Sequence, residues 1–361
     1  MKRLCHIYFL LTALLTLAGC AQETDYPFLE PESVSQYPIK WSINSINTRA
    51  LVNNDLLKSE CTPVEDGSNE SVGVWGQYTK TINGQQTTIE EFVATPLTYG
   101  SDEFDSNIYS HWDYPGEARY WMNNAVYEFR ACYPQKLMTS LMTQMDATIF
   151  QGGPINTLVL QEDILLAATQ IDTKSANLAA PVKLNMQHAF AAIKFKVKAV
   201  KGFVPADNEG ITSCWLQNKN NNTNLFSPSG YLVHSGYSIP EITWYPYESS
   251  TAPMYLWKHE GVGFYRENTL YTPNYGLTGE EFTHNDGWIL IVPQTVKSGT
   301  LQFCYTLRNA GNQIFSVEIP NITYEEGVKY TYMLEISGSE AKLNLTITPW
   351  NYIESSYDIT M

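Results

Sequence analysis

Apolar and polar residues alternate with a period of two along much of this 361-residue chain, and this pattern restricts its fold more than any other feature. Examples are residues 37–43, 127–133 and 193–199. Successive side chains of an extended strand point to opposite faces, so each segment can bury one face and expose the other. Turn-forming residues separate the segments, as at Asn83-Gly84, which favours a tight hairpin turn. The pattern predicts an all-β protein of the sandwich type.

Helical periodicity is rare, so only a few short helices are expected. Residues 135–145 carry an apolar stripe at helical spacing, and residues 161–171 carry a weaker one. A second hairpin is predicted for residues 213–233, closed by an Asn-rich loop. The 24 tyrosines also suit strands better than helices.

His188 lies on the same strand face as Leu184 and Met186, so it is expected in the core. The apolar phase shifts by one residue near Ala191 and Ala192, which predicts a bulge or a bend in a long strand. Because no partner motif accompanies the histidine, a structural role is favoured over a ligand or a catalytic base. This strand is expected to open a second domain.

The N-terminus predicts export. Lys2 and Arg3 precede a short apolar run, and residues 1–19 are interpreted as a signal peptide. Leu17-Ala18-Gly19-Cys20 resembles the lipobox of bacterial lipoproteins, which implies acylation of the Cys20 thiol; the alternative is an ordinary cysteine beside a conventional cleavage site. The polar, proline-marked residues 20–36 are predicted to be a tether.

A domain boundary is expected near residues 172–181, which are small and polar and end in a proline. It gives an N-terminal β-domain at 37–175 and a C-terminal β-domain at 180–361.

Charge and motifs exclude several functions. The net charge of −15 makes nucleic acid a poor partner. No nucleophile elbow, phosphate-binding loop or metal-ligating pair occurs in the sequence, so no enzyme activity, metal or cofactor is expected. Cys61, Cys132, Cys214 and Cys304 are far apart, and their pairing stays open among three connectivities.

The aromatic-rich residues 111–134 have two interpretations. Trp112 and Trp121 could stack on sugars, which would make this a glycan-binding surface, and residues 244–258 are a second such candidate. The alternation from Tyr127 to Tyr133 instead favours the inner face of a strand.

Six stretches occur in the order and spacing found in one protein family. They are GVWGQY (73–78), ARYWMNNAVYEFRACYP (118–134), EDILLAATQI (162–171), VKLNMQHAFAAIKFKV (182–197), WILIVPQTV (288–296) and EEGVKYTYMLEI with LNLTITPWN (325–351). Together they resemble the FimA-like and Mfa-like fimbrillins, the subunits of type V pili of Gram-negative anaerobes. The resemblance implies two tandem transthyretin-like β-sandwich domains, a structural role in cell adhesion and a place at the outer membrane.

The resemblance also implies an assembly mechanism. An arginine-specific protease removes the N-terminal segment with its first strand, and the groove accepts a strand from another subunit. Here Arg49-Ala50 is the best candidate bond and residues 37–49 are the cleavable segment; Lys40 and Lys58 are weaker alternatives.

The expected donor is the C-terminal segment from about residue 351 to 361. Its apolar residues share one face: Ile353, Tyr357, Ile359 and Met361. The alternative is that this segment is the last strand of its own domain. Expected partners are other fimbrillin subunits, the outer membrane through the Cys20 lipid, the protease and a surface receptor. Stalk, anchor and tip roles stay open, and a surface glycan-binding lipoprotein is the alternative function.

Overall fold

The computed structural model consists mostly of β-strands with only two short helices among the described residues, which confirms the all-β fold class. It describes residues 34–45, 54–64, 69–104, 107–157, 160, 162–199, 211–218, 227, 229–237, 241–246, 254–258, 288–297, 301–307, 314–337 and 340–349. Within these ranges lie 23 strands and two short helices, α1 (Asn54–Glu60) and α2 (Gln135–Leu141). Neither helix has the length and apolar character needed to cross a membrane.

Seven strands close into a barrel in the order β10-β11-β2-β5-β4-β3-β7. Their bounds are β2 (Trp41–Ser45), β3 (Val72–Ile82), β4 (Gln85–Phe104), β5 (Asn107–Asp113), β7 (Ala125–Tyr133), β10 (Leu165–Asp172) and β11 (Val182–His188). The pairing of β2 with β11 is parallel, whereas the barrel's other pairings are antiparallel. Beside the barrel, β1 (Val34–Pro38) pairs with β6 (Tyr120–Met122). Strand β1 thus begins inside the segment predicted to be a tether.

The other described strands form smaller sheets. One has the order β15-β14-β9-β8, with β8 (Met142–Met145), β9 (Phe150–Asn156), β14 (Ser229–Ser235) and β15 (Glu241–Pro246). A second has the order β17-β12-β22-β23, with β12 (Ala191–Ala199), β17 (Ile289–Ile291), β22 (Val328–Ser337) and β23 (Glu340–Pro349). The third has the order β16-β13-β19-β20, with β13 (Ile211–Asn218), β16 (Met254–Lys258), β19 (Leu301–Leu307) and β20 (Ile314–Glu318). A pair joins β18 (Gln294–Val296) and β21 (Ile322–Tyr324).

Two hydrophobic clusters lie on opposite sides of the barrel wall. The inner cluster is aromatic and includes Trp41, Phe92 and Phe129. The outer cluster includes Trp75 from β3 and Leu166 from β10, which pack with residues of the neighbouring sheets. Because part of the barrel exterior is covered, these strands are buried on both faces, whereas an isolated antiparallel sheet would leave one face to water.

Local predictions had mixed outcomes. Asn83 and Gly84 form the expected hairpin turn, with positive φ values of 51° and 79°. Helix α2 covers only the first part of residues 135–145, because the chain continues into β8. The helix predicted at 161–171 is wrong: β10 pairs with β7 along its whole length. The hairpin predicted at 213–233 is also wrong, since β13 and β14 belong to different sheets.

His188 is in the core, as predicted, with 1% of its surface exposed. Its Nδ1 atom lies 2.6 Å from Oδ2 of the buried Asp163. The predicted bend falls at Ala189 and Phe190, where β11 ends in the barrel and β12 begins in another sheet. The histidine strand therefore pairs with β2 and β10, strands from the N-terminal half of the chain.

Candidate functional site

The N-terminal strands β1 and β2 are embedded between later parts of the chain; we call the groups that hold them the strand seat (β6, β11, Arg119 and Trp112). The backbone N–H of Ile39 donates to the carbonyl of Arg119 at 2.7 Å, and the N–H of Val182 donates to the carbonyl of Lys40 at 2.7 Å. Strand β2 then pairs with β11 from Trp41↔Val182 to Ser45↔Met186. Backbone hydrogen bonds thus hold both strands in place.

The two sides of β2 are held unequally. On one side its pairing with β11 extends over five positions, whereas on the other it meets β5 only at Trp41↔Trp112. Where β2 and β5 diverge, a cleft of about 710 Å³ opens, lined in part by Lys40, His111 and Tyr114. The barrel wall is therefore weakest along one edge of its first strand.

The same strand supplies apolar side chains to the barrel core. Ile39, Trp41 and Ile43 are 2%, 5% and 2% exposed, which confirms the alternation seen in the sequence. The Trp41 indole makes edge-to-face contacts with Phe92 and Phe129, with ring centroids 5.3 and 5.2 Å apart. Full burial of such side chains stabilises a fold by about 1.5–3 kcal/mol each. Removing β2 would leave an apolar groove.

A titratable group lies beside this seat. Glu91 is the extra residue of a bulge in β4, because Gly76 pairs with Phe92 and Gln77 pairs with Glu90. Burial raises the pKa of the Glu91 carboxyl to about 7, although a hydrogen bond from Tyr127 and the charge of Arg119 both act to lower it. The Arg119 guanidinium lies 4.2 Å from the centroid of the Phe92 ring. The core beside the seat therefore carries a carboxyl that titrates near neutral pH.

We expect Glu91→Gln to stabilise the protein at pH 8 by about 1–3 kcal/mol and to have little effect at pH 4. The folded pKa lies above the ordinary value of 4.5, so the native carboxyl retains its proton more strongly than the unfolded one. That contribution is fully present below about pH 4.5 and is lost as the pH rises through about 7. Urea denaturation at pH 4, 6 and 8 measures the difference. The exposed neighbour Glu90→Gln is the control, and a pH-independent effect of Glu91→Gln would contradict the assignment.

Helix α1, which follows residues 46–53 in the sequence, is held on the barrel by buried side chains and hydrogen bonds. Leu57 and Cys61 are fully buried, and the Tyr133 hydroxyl donates to the Glu60 carboxylate. The N–H of Tyr99 donates to the carbonyl of Cys61 at 3.0 Å. Helix α1 also contacts β2, but neither of the two hydrogen bonds involves β1 or β2, so both can persist without those strands.

The structure does not describe the processing and donor residues predicted from the sequence. Cys20, Arg49 and Ala50 lie outside the described residues, as do the donor residues Ile353, Tyr357, Ile359 and Met361. Both alternative processing residues are placed. The carbonyl of Lys40 accepts a hydrogen bond from the backbone N–H of Val182. The carbonyl of Lys58 accepts one from the Thr62 hydroxyl at 2.7 Å.

The tryptophans proposed to stack on sugars do not present a face to solvent. Trp112 is 6% exposed and Trp121 is 1% exposed, and both belong to the barrel core. Trp121 packs edge-to-face against Tyr127 at 4.8 Å. Because barrel closure needs large apolar side chains inside, these indoles fill the interior instead of forming a surface site.

Cys61 and Cys132 are buried free thiols, so neither forms a disulfide. Burial raises the pKa of both thiols, to about 12 for Cys61. Unreactive, protonated thiols are expected in such surroundings. Among the residues that the structure describes, no group of three or more His, Cys, Asp or Glu side chains could hold a metal ion.

A buried arginine was missed by the sequence analysis. Arg130 is fully buried and donates to Nδ1 of His234 at 3.0 Å, to the Thr148 carbonyl at 2.8 Å and to the Gly236 carbonyl at 3.1 Å. Burial and the charge of Arg130 lower the pKa of His234 to about 3, so this imidazole is neutral and accepts the hydrogen bond. The contacts join β7 of the barrel to the sheet that contains β14. In the sequence, Arg130 falls in the polar phase of β7, which predicts a solvent-facing residue.

Comparisons with known proteins give one family match and several solved structures of low sequence identity. A family model described as fimbrillin-like matches residues 48–350. No curated protein matches the sequence significantly. A solved fimbrial protein from Bacteroides vulgatus ATCC 8482 is 13% identical with a TM-score of 0.51, covering 87% of this chain and 99% of its own. The tip fimbrial protein Mfa3 from Porphyromonas gingivalis is 12% identical with a TM-score of 0.35, and the match covers 78% of this chain and 95% of Mfa3. A fimbrial assembly protein from Parabacteroides distasonis ATCC 8503 is 10% identical with a TM-score of 0.35, and the match covers 77% of this chain and 91% of that protein.

Proposed function

This chain belongs to the fimbrillin-like family, and from that premise we propose that it is a structural subunit of a type V fimbria. It is exported as a lipoprotein precursor whose Cys20 thiol carries the anchor at the outer membrane. Cleavage between Arg49 and Ala50 releases the N-terminal strands, and a strand from another subunit replaces them. Its partners are other fimbrial subunits and an arginine-specific protease, and its role is non-enzymatic.

The observation that carries this proposal is the way β2 fills the barrel. The strand supplies three buried apolar side chains yet meets β5 at a single residue pair. Its loss would uncover Phe92 and Phe129 and would leave the backbone groups of β11 without their partners on that side. Exposed apolar surface beside unpaired strand edges is a template for strand addition.

The position of Arg49-Ala50 suits a cut that releases the strands without unfolding the remainder. The bond lies between the end of β2 at Ser45 and the start of α1 at Asn54. A protease needs an extended substrate segment, which residues held in paired strands or helices do not offer. The alternatives fit less well, because Lys40 and Lys58 have carbonyls engaged in hydrogen bonds. After the cut, α1 would still hold the new N-terminus on the barrel.

The C-terminal segment has a suitable pattern for the donor. Tyr357, Ile359 and Met361 occur at every second position, the spacing that Ile39, Trp41 and Ile43 use in the core. An incoming strand with this spacing would place its apolar side chains in the positions that β2 vacates.

We expect an arginine-specific protease to convert the monomeric chain into oligomers that begin at Ala50. Cleavage removes the occupant of the groove, and the donor of a second molecule then fills it. N-terminal sequencing and size-exclusion chromatography with light scattering measure cleavage and assembly. Arg49→Ala should stay uncleaved at this position and monomeric. A chain lacking residues 351–361 should be cleaved and stay monomeric.

Two results would overturn the proposal. One is a parent chain that is cleaved at Arg49 and stays monomeric at every concentration. The other is a chain without residues 351–361 that polymerises as well as its parent, which would assign the donor to another segment.

A further inference from the structure

The sheet of β8, β9, β14 and β15 has a cleft of about 620 Å³ on its outer face. Its opposite face is part of the core, where Leu232 and His234 are 0% and 1% exposed. The outer face carries Tyr231 and Val233 from β14, Tyr245 from β15 and Gln151 from β9. A pleated sheet normally presents a continuous outer surface, so a concavity in it needs a local cause.

Two irregularities produce the concavity. Thr143 is an extra residue in β8, since Met142 pairs with Gly152 and Gln144 pairs with Gln151. Strand β9 has an extra residue at Gly153-Pro154, since Ile155 pairs with Gly230 and Gly152 pairs with Leu232. Bulges bend a strand and redirect its side chains, and they are common beside binding sites.

Glycines leave the floor of the cleft without side chains. A Cβ atom on Gly152 would lie 2.5 Å from Cα of Met142, so no side chain fits there. Gly153 has φ of +131°, which disfavours other residues, and a Cβ on it would lie 2.9 Å from the Gly230 carbonyl oxygen. A ligand in the cleft can therefore approach the backbone closely.

Two exposed tyrosines form one wall. Tyr231 and Tyr245 are direct cross-strand partners, 38% and 56% exposed, so their side chains share the outer face. A tyrosine ring offers an apolar face with negative electrostatic potential and a hydroxyl at its edge. Two exposed tyrosines lining one cleft can each offer a ring face to a ligand with weakly positive C–H groups.

The polar groups of the cleft are uncharged. None of the described residues that line it is an Asp, Glu, Lys or Arg, although the chain carries a net charge of −15. Thr143 supplies a hydroxyl, which donates to the Gln151 carbonyl at 3.1 Å, and Gln151 supplies an exposed side-chain amide. Aromatic walls with a few neutral hydrogen-bonding groups are typical of small-molecule sites.

We propose that this cleft binds a short neutral saccharide. The apolar face of a pyranose ring stacks on Tyr245 and Tyr231, and its hydroxyls bond to Gln151 and Thr143. The site differs from the strand seat, because none of its lining residues belongs to β1, β2 or the C-terminal segment. Saccharide binding therefore does not depend on cleavage or polymerisation, and either proposal can fail without the other.

The test is equilibrium binding to the full uncleaved chain by calorimetric titration. The probes are cellobiose, lactose, maltose and N,N′-diacetylchitobiose, with sialyllactose as the anionic comparison. We expect saturable binding of at least one neutral disaccharide. Tyr245→Ala and Tyr231→Ala should each weaken the affinity for the disaccharide about tenfold or more, which is the typical loss when an aromatic side chain that contacts a ligand is removed. Tyr245→Phe retains the ring and should retain most of the binding.

Tyr120→Ala is the matched control, because Tyr120 is an exposed strand tyrosine, 43% exposed, outside the cleft. It should leave saccharide binding unchanged. Circular dichroism checks that each variant is folded. The proposal is overturned if no neutral disaccharide binds the parent, if sialyllactose alone binds, or if the cleft variants bind as well as Tyr120→Ala.

Discussion

Trp41→Ala is expected to lower the free energy of unfolding by about 3–5 kcal/mol. The indole is 5% exposed and contacts Phe92 and Phe129 inside a closed barrel, which cannot collapse freely into the space that the ring leaves. The loss therefore combines the lost burial of a large apolar surface with the cost of a cavity. Urea denaturation followed by circular dichroism measures it.

Tyr37→Ala is the control for this prediction, because Tyr37 lies in the neighbouring strand β1 and is 40% exposed. A surface substitution of this kind should change the free energy of unfolding by less than about 0.5 kcal/mol. If Trp41→Ala cost no more than Tyr37→Ala, β2 would contribute little to the barrel, and its removal would create no groove for another strand to fill.

The second large effect is expected at Arg130. Arg130→Ala should lower the free energy of unfolding by about 3–5 kcal/mol, because it leaves buried hydrogen-bond acceptors without their donor. The acceptors are Nδ1 of His234 and the carbonyls of Thr148 and Gly236. The guanidinium also lies 5.2 Å from the centroid of the Tyr237 ring. Urea or thermal denaturation gives the magnitude.

Two further variants separate the causes. Arg130→Met keeps the apolar stem and most of the volume, so a smaller loss than for Arg130→Ala would measure the packing component. Lys183→Ala removes a cation that is exposed on β11, so it should hardly change the free energy of unfolding. Equal, small effects of Arg130→Ala and Lys183→Ala would mean that the buried hydrogen bonds do not join the barrel to its neighbouring sheet.

Alternation predicted the faces of several strands correctly from the sequence. Ile39, Trp41 and Ile43 point into the core, as do Tyr127 and Phe129. The same reasoning failed where both faces of a strand are buried. Leu165 packs in the inner cluster and Leu166 in the outer one, so their segment is continuously apolar and its period resembles that of a helix.

The pairing and packing of segments that are distant in sequence could not be predicted from the sequence. Nothing in a local pattern indicates that β2 pairs with β11, or that a sheet covers the outer face of β7 above Arg130. The cleft with Tyr231 and Tyr245 likewise depends on bulges in two strands whose partners are distant in sequence. The proposed processing site and the proposed donor strand are inferred from family membership and residue patterns, since both lie outside the described residues.

The parallel pairing of β2 with β11 has a consequence for biosynthesis. Trp41 pairs with Val182, so about 140 residues must follow β2 before its parallel partner is available. Hairpins such as β3-β4 have partners close in sequence and can form much earlier, because closing a short loop loses less entropy. The barrel therefore closes only when β11, the last of its strands in sequence, pairs with β2, the first. Release of β2 would reverse this closure, together with its single pairing to β5, and would leave the pairings among β3, β4, β5 and β7 intact.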